Sequence, residues 1–411
     1  MKILLYGNTA NNHYIVTKVL RRNGFDADFI IDKEDYSFLS QPVWQDADLT
    51  IEYADFYHAD AEIIKEFNNN KAWNKPDFVK EASGFGSGFG RSGYFFMKIF
   101  YLTYIFLFRH FSYLKVLNEM KKYDLIIVNG IFTLLTAFLS GKKYIIYPYG
   151  KDLRIALGVE KFSGTGFFES VYNFFCVKFC GIALKNCCLV LNGDAGLVTS
   201  VKNFDKNKYV NINFPIPLPD DTDIDIKSIE NILNISFDFD KTIVFIPSRV
   251  DYKIKGHNHV IEAIKELPDD KFQFFFSGWG TDLEDAKMRL SVRKDVFFLG
   301  KVLSKSLLMK FFRISDLVID QLIWGTYGTS AMEAMACKKS VVIHINREYY
   351  LMRNKPLPDY YYEASDKKEL LRILCDNTVE DFRNTGEKAY EWILENHSEE
   401  KFIEDISKYL N

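Results

Sequence analysis

The sequence has no excess of positive charge. Its 52 Lys and Arg are outnumbered by 55 Asp and Glu, for a formal net charge of −3. A general nucleic-acid binder needs a basic surface to neutralise phosphates, so that class is set aside. The six cysteines, Cys176, Cys180, Cys187, Cys188, Cys337 and Cys375, lack the paired spacing of a zinc site. Four of them cluster in an apolar helical stretch, where buried reduced thiols are the expectation. No run reaches the ~20 apolar residues of a membrane span. The longest aromatic-rich run, Tyr94 to Phe108, is broken by Lys98 and stopped by Arg109. The first apolar run is too short for a signal peptide and reads as a strand. Internal repeats and low-complexity tracts are lacking too. A cytoplasmic protein is expected, soluble or peripheral on the inner face of the membrane.

What is present is alternation. The 411 residues suffice for two or three domains of ~150 residues each. In the first half, strands are expected at Lys2–Tyr6, Ala27–Ile31, Leu125–Val128 and Tyr144–Tyr147, with a helix at His13–Arg22. The loop-like Asn213–Asp225 mixes prolines and acids and reads as a linker. The pattern then restarts. Strands are expected at Thr242–Ile246, Phe272–Ser277, Val296–Leu299, Leu317–Asp320 and Ser340–Ile345, separated by helical segments. Strands alternating with helices predict parallel sheets with crossover helices, an α/β class with two doubly wound domains. Such sheets bind ligands beyond the carboxyl ends of their strands.

Candidate chemistry concentrates in the second half. In WGTYGTSAMEAMA, Trp324 to Ala336, Gly325 and Gly328 permit a tight loop. Thr329 or Ser330 can cap the helix that follows, whose first amides suit a phosphate. Glu333, about one turn in, can accept hydrogen bonds from the two ribose hydroxyls of a nucleotide. Arg249 and Lys255 lie at a strand end and just before a helix, where two cations can clamp a diphosphate. His257, beside Lys255-Gly256, reads as a helix cap. Gly278 and Gly280 mark another turn but lack the rest of a dinucleotide fingerprint, which argues against NAD. Leu299 to Val302 can offer backbone groups to a base. The three Asp-x-Asp spacings fall in or near the linker, so no metal is expected.

In the first half, Gly7, Asn8, Thr9 and Asn11 follow the first strand, and their polar groups can contact sugar hydroxyls. YPYGKDLR carries Tyr149 and Asp152, and a carboxylate there can orient an acceptor hydroxyl. Ser83 to Lys122 combines aromatics with Lys98, Arg109, Lys115, Lys121 and Lys122, which suits either a core helix or an anionic membrane surface.

Taken in order, SR-x5-KG at Ser248 to Gly256, FFLGKV at Phe297 to Val302 and SDLVID…YGTSAMEAMA at Ser315 to Ala336 resemble the retaining glycosyltransferases of family 4. The resemblance implies a GT-B fold, two Rossmann-like domains facing each other across a cleft. It implies residues 1–212 as an acceptor-binding domain and 226–385 as a nucleotide-sugar-binding domain. Residues 386–411 would be a helix packing back on the first. It implies Arg249 and Lys255 on the donor diphosphate, Glu333 on the ribose, and Tyr327 to Ser330 on phosphate or sugar. Gly278, Leu299 and Asp320 join them as donor-side residues. Tyr149 stands where family members often have His, and Asp152 matches their Asp. The implied reaction moves a hexose-type sugar from a UDP- or GDP-type donor to a glycan or lipid-linked glycan. It proceeds with retention, by a front-face route, in bacterial surface polysaccharide or glycoconjugate synthesis. One departure stands out. The usual pattern has two glutamates with seven residues between them, and Gly325 occupies the place of the first. The run DQLIWGTYG resembles a family variant in which Asp320-Gln321 precedes that Gly. The rival readings are an inactive GT-B subunit that binds glycan or a partner enzyme, and a nucleotide-sugar epimerase of the same fold.

Overall fold

The protein was analysed as a computed structural model. The structure describes residues 1–32, 38–48, 51–52, 73–82, 116–148, 150, 153–154, 157, 167–193, 208–220, 223–353, 357 and 360–410. Among the described residues, eight strands lie in the first half: β1 (Lys2–Tyr6), β2 (Asp26–Asp32), β3 (Ile51–Glu52), β4 (Val79–Ala82), β5 (Leu125–Val128), β6 (Lys143–Ile146), β7 (Leu189–Asn192) and β8 (Tyr209–Asn211). The second half adds β9 (Thr242–Ile246), β10 (Phe272–Ser277), β11 (Val296–Leu299), β12 (Lys301–Val302), β13 (Leu317–Ile319), β14 (Ser340–Ile343) and β15 (Tyr362–Glu363).

Two compact units result. The first comprises Met1–Gln45, Ala59–Pro215 and Phe402–Asn411. Its sheet runs β4-β2-β1-β5-β6-β7-β8, parallel throughout. The second comprises Asp46–His58 and Ile216–Lys401, with a parallel sheet in the order β11-β10-β9-β13-β14-β15. Each sheet starts in its middle, winds outward one way, then reverses and winds the other way. The expected α/β class, two doubly wound sheets, is what forms.

The strand sequences explain the layers. A parallel sheet covered by helices on both faces is buried on both, so its strands are continuous apolar runs. TIVFI and FQFFFS are fully buried. Successive side chains of β10 point to opposite faces. Phe272, Phe274 and Phe276 face one helical layer, with Val260, Ile264 and Leu374. Phe275 faces the other, with its ring 5.3 Å from Phe311 and 5.0 Å from Phe297.

Two features concern the division into units. Asp46–His58 belongs to the second unit although the chain on both sides of it belongs to the first. There β3 pairs antiparallel with β12, and the Ser304 hydroxyl donates to the Asp48 carboxylate. At the other end, the helix Glu399–Leu410 places Phe402, Ile406 and Leu410, four residues apart, in the core of the first unit with Tyr147 and Phe214. The preceding helix, Val379–His397, stays with the second. Among the described residues, Cys180, Cys187 and Cys337 are buried reduced thiols, as expected, whereas Cys188 and Cys375 are exposed. Burial pushes the Cys187 and Cys337 thiols up to about 12, so they stay protonated.

Candidate functional site

A doubly wound sheet opens a crevice where its strand order reverses, outside the carboxyl ends of the two central strands. In the second unit that point lies between β9 and β13. Arg249 and Lys255 leave β9, and Asp320 to Gly328 leave β13.

The loop after β9 is organised by His257. Its Nδ1 accepts from the Asp251 backbone N–H at 3.1 Å, which puts the ring proton on Nε2, 3.3 Å from Ser248 Oγ. Full burial holds this imidazole down at about 3; the Lys255 charge adds to the fall and Asp251 opposes it. His257 is therefore neutral near pH 7. It does not cap the helix, as the sequence suggested. Gly256 is the N-cap of the helix His257–Glu266, and His257 braces the loop that presents the two cations. Arg249 Nε lies 3.3 Å from Asp251 Oδ2. Among the described residues the other guanidinium nitrogens have no partner. Lys255 Nζ reaches Gln321 Oε1 at 2.8 Å and Asp320 Oδ1 at 3.4 Å.

The loop after β13 is tied to the first. Leu322 N–H donates to the Lys255 carbonyl at 2.8 Å, and the Gln321 side chain donates to the Thr326 carbonyl. Gly325 has φ +80°, and its carbonyl accepts from Asn346 N–H at 2.8 Å. A Cβ at 325 would stand 3.0 Å from the Asn346 Cβ. The position where the resembled family has its first glutamate is thus a left-handed turn packed on a neighbouring strand end. Gly328 is the N-cap of the helix Thr329–Ala336, with no side-chain cap bond, so neither Thr329 nor Ser330 caps it. They are instead its first two residues, where backbone N–H groups lack intrahelical acceptors and carry partial positive charge. Tyr327 is anchored inward. Its N–H lies 3.3 Å from Tyr350 Oη, its hydroxyl 3.4 Å from His397 Nε2, and its ring packs on Trp392.

Glu333, one turn into that helix, is buried and forms an ion pair with Lys305. Lys305 is absent from the sequence expectation. It opens the helix Lys305–Ile314, which Ser304 caps, and nothing in the sequence pairs it with Glu333. Gly278 and Leu299 meet each other. A Cβ on Gly278 would overlap the Leu299 carbonyl at 1.6 Å, and Leu299 is fully buried. The expected donor residues therefore fall into two groups. Arg249, Lys255, Asp320, Tyr327, Gly328, Thr329, Ser330 and Glu333 lie on the segments that leave β9 and β13, while Gly278 and Leu299 form a packed strand end beside them.

The first unit has its own switch point, between β1 and β5. Gly7, with φ +89°, sits so close to Asn129 that a Cβ would lie 2.3 Å from the Asn129 carbonyl. Asn8 Nδ2 donates to Asn11 Oδ1 at 2.7 Å and to the Ser40 carbonyl at 2.5 Å. Asn8 Oδ1 accepts from Tyr14 N–H at 3.0 Å, and Asn11 Nδ2 donates to the Gln41 carbonyl at 2.9 Å. These two side chains hold the loop itself, and Thr9 is exposed. His13 is fully buried behind them. Its nitrogens lie near the carbonyls of Tyr147, Tyr6 and Gly7 without hydrogen-bond geometry, and desolvation lowers it to about 4. Tyr149, Asp152 and residues 83–115 lie outside the described residues. No helix among the described residues is long and apolar enough to cross a membrane.

Comparison of the sequence with curated proteins finds no match. Solved structures do match. HepE from Anabaena, solved in complex with UDP and glucose, is 16% identical with a TM-score of 0.64, covering 100% of this chain and 99% of that one. Sucrose-phosphate synthase from Thermosynechococcus elongatus is 14% identical with a TM-score of 0.61, covering 100% and 98%. The lipopolysaccharide outer core galactosyltransferase WaaB, in its apo form, is 12% identical with a TM-score of 0.55, covering 99% of each. At these identities the likeness shows the fold, that of GT-B glycosyltransferases. Residues 229–349, which hold all the donor-side residues described above, match the family model described as Glycosyl transferases group 1.

Proposed function

We propose that the protein transfers a hexose-type sugar from a nucleoside diphosphate sugar to a hydroxyl of a glycan or lipid-linked glycan, with retention. One observation carries this reading. Two cations, Arg249 and Lys255, and the amide end of the helix Thr329–Ala336 gather at one switch point. Together they suit a diphosphate, by fork, point charge and helix dipole. Glu333 is held as a carboxylate partner by Lys305, leaving an oxygen for ribose hydroxyls. The donor is of the UDP or GDP type, and a UDP-glucose complex of the HepE neighbour supports the first.

The reaction follows from the charges. The bond between the anomeric carbon and the diphosphate oxygen breaks as the acceptor oxygen bonds to that carbon. Positive groups stabilise the departing diphosphate, which takes the acceptor proton on the same face. No metal is assigned, because Arg249, Lys255 and the helix terminus supply the positive charge. Asp152 and Tyr149 are assigned to the acceptor side, with Gly7, Asn8, Thr9 and Asn11 shaping the loop there. Placement on the inner face of a bacterial membrane, in surface polysaccharide synthesis, belongs to the same proposal.

The test is a thermal shift with UDP, GDP, UDP-glucose and GDP-mannose on the native chain, Arg249→Ala and Glu333→Ala. A ligand that binds the native state raises its Tm. A rise with one nucleotide, lost in both variants, supports the donor site and names the base. No rise with any of the four would overturn the reading. Binding without sugar turnover on any glycan offered would favour a non-catalytic subunit.

A further inference from the structure

Asp320 is fully buried, and among the described residues its Oδ2 has no hydrogen-bond partner. A buried carboxylate oxygen left unpaired is costly, and such groups cluster where a ligand completes them. Its surroundings are specific. The Cβ that Gly328 lacks would stand 3.0 Å from Asp320 Oδ2, 3.8 Å from Gln321 Nε2 and 3.9 Å from Lys255 Nζ. Three polar groups thus converge on the space a side chain would fill, at the start of the helix Thr329–Ala336. Lys255 is their cover. Its side chain is 16% exposed while that of Asp320 is 0% exposed, and its Nζ lies 3.4 Å from Asp320 Oδ1.

The chemistry of these groups selects a ligand. A carboxylate oxygen accepts hydrogen bonds and repels phosphate, whereas Lys255 and the helix amides attract it. A ligand that satisfies all of them carries an anion and a hydroxyl side by side. We propose that Asp320 binds a hydroxyl of the donor's sugar and makes the site favour a sugar-loaded nucleotide over the bare nucleoside diphosphate. The inference rests on the nucleotide-sugar reading above. When the diphosphate draws Lys255 toward it, Asp320 loses its cover and its cation. A sugar hydroxyl replaces that interaction, and a bare diphosphate leaves the carboxylate uncompensated beside two phosphates. The product is therefore held more weakly than the donor. Asp320 does from β13 what residue 325, a left-handed glycine on Asn346, has no side chain to do.

The experiment measures Kd for UDP, UDP-glucose, GDP and GDP-mannose by calorimetry on the native chain, Asp320→Asn and Gly328→Ala. For the base that binds, Asp320→Asn should weaken the sugar nucleotide by about 10-fold, the loss of a charge-assisted hydrogen bond. The same variant should bind the bare diphosphate as tightly as the native chain or more tightly, because the repelling charge is gone. Gly328→Ala removes no charge. It places a methyl 3.0 Å from Asp320 Oδ2 and should weaken the sugar nucleotide more than the diphosphate. Equal losses for both ligands in Asp320→Asn would overturn the inference and leave the donor site standing, as would no change for either. A native chain that binds none of the four ligands overturns the nucleotide-sugar reading and this inference with it.

Discussion

The two switch points lie at the same place in two sheets of the same winding, yet Asn8 and Asn11 at the first use their polar groups in the opposite way to Arg249, Lys255 and Asp320 at the second. Between β1 and β5, Asn8 and Asn11 bond to each other and to the Ser40 and Gln41 carbonyls. Between β9 and β13, Arg249, Lys255 and Asp320 keep donors or acceptors unspent. Neutral amides with both ends matched build a rigid loop. Charges with one end matched keep interaction energy available for a ligand. A polar residue in a βα loop is therefore a candidate contact only to the extent that its neighbours leave it unsatisfied.

The comparison breaks most forcefully at Lys305. Lys305→Met leaves Glu333 charged and buried without its partner, which typically costs about 3–5 kcal/mol. A large fall in Tm at pH 7 is expected, with recovery of much of it in Lys305→Met combined with Glu333→Leu. If the single variant unfolds no earlier than the native chain, Glu333 is not held as the structure describes.

Next is the contrast between the loops themselves. Lys255→Ala removes a charge aimed at the diphosphate and should lower transfer by about 10²- to 10³-fold, and it lowers Tm as well because buried Asp320 loses its cation. Asn8→Ala leaves the Tyr14 N–H and the Ser40 carbonyl without partners and should lower Tm by an amount equivalent to about 1–3 kcal/mol, with donor Kd unchanged. Stability and steady-state kinetics on both variants check the pair. The reverse outcome, unchanged transfer in Lys255→Ala and a donor-binding loss in Asn8→Ala, would erase the distinction between the two switch points.

How much of this was legible follows from residue spacing. Strands β9, β10, β11, β13 and β14 are apolar runs bounded by polar or glycine turns, so their order and the loops after them could be read directly. The same held for β1, β2, β5 and β6. The short strands β3, β12 and β15, of two residues each, carry no periodicity. Their pairing is a tertiary fact. The Lys305–Glu333 pair joins residues 28 apart on two helices, and one sequence holds no sign of which face meets which. Asn8 and Asn11 look like binding residues because composition reports hydrogen-bonding capacity and not whether it is already used. Gly325 was legible as a missing glutamate, but its positive φ was not.

Acid sharpens the comparison, because each switch point has one buried neutral histidine behind it. His13 is held at about 4 by desolvation, against the nearby carbonyls of Tyr147, Tyr6 and Gly7. His257 is held at about 3 by desolvation and the Lys255 charge, against Asp251. A histidine with a lowered folded pKa leaves stability untouched above its unfolded value of 6.5. Below that value the unfolded chain takes up a proton the folded chain refuses, so stability falls until the folded pKa is reached. Each histidine should remove about 2 kcal/mol between pH 7 and pH 5. Melting curves at both pH values on His13→Gln and His257→Gln check this. Each variant should lose less than the native chain on acidification, and an undiminished loss would show that its imidazole is not the group refusing the proton.

The smallest expected effect bears on the departure that sets this chain apart. If Gly325 were merely a glutamate lost from an otherwise unchanged loop, Gly325→Glu would restore a sugar contact and raise transfer. The backbone argues otherwise. At φ +80° a side chain costs about 1–2 kcal/mol, and the new Cβ would press on the Asn346 Cβ at 3.0 Å. Relieving that contact means moving the loop whose carbonyl accepts from Asn346 N–H, and with it the Thr326 carbonyl that Gln321 holds beside Lys255. Gly325→Glu is therefore expected to lower Tm by a few degrees and to leave transfer no higher than native. Higher turnover in that variant would mean that the left-handed turn is easily abandoned and that residue 325, not Asp320, is the natural seat of the sugar contact.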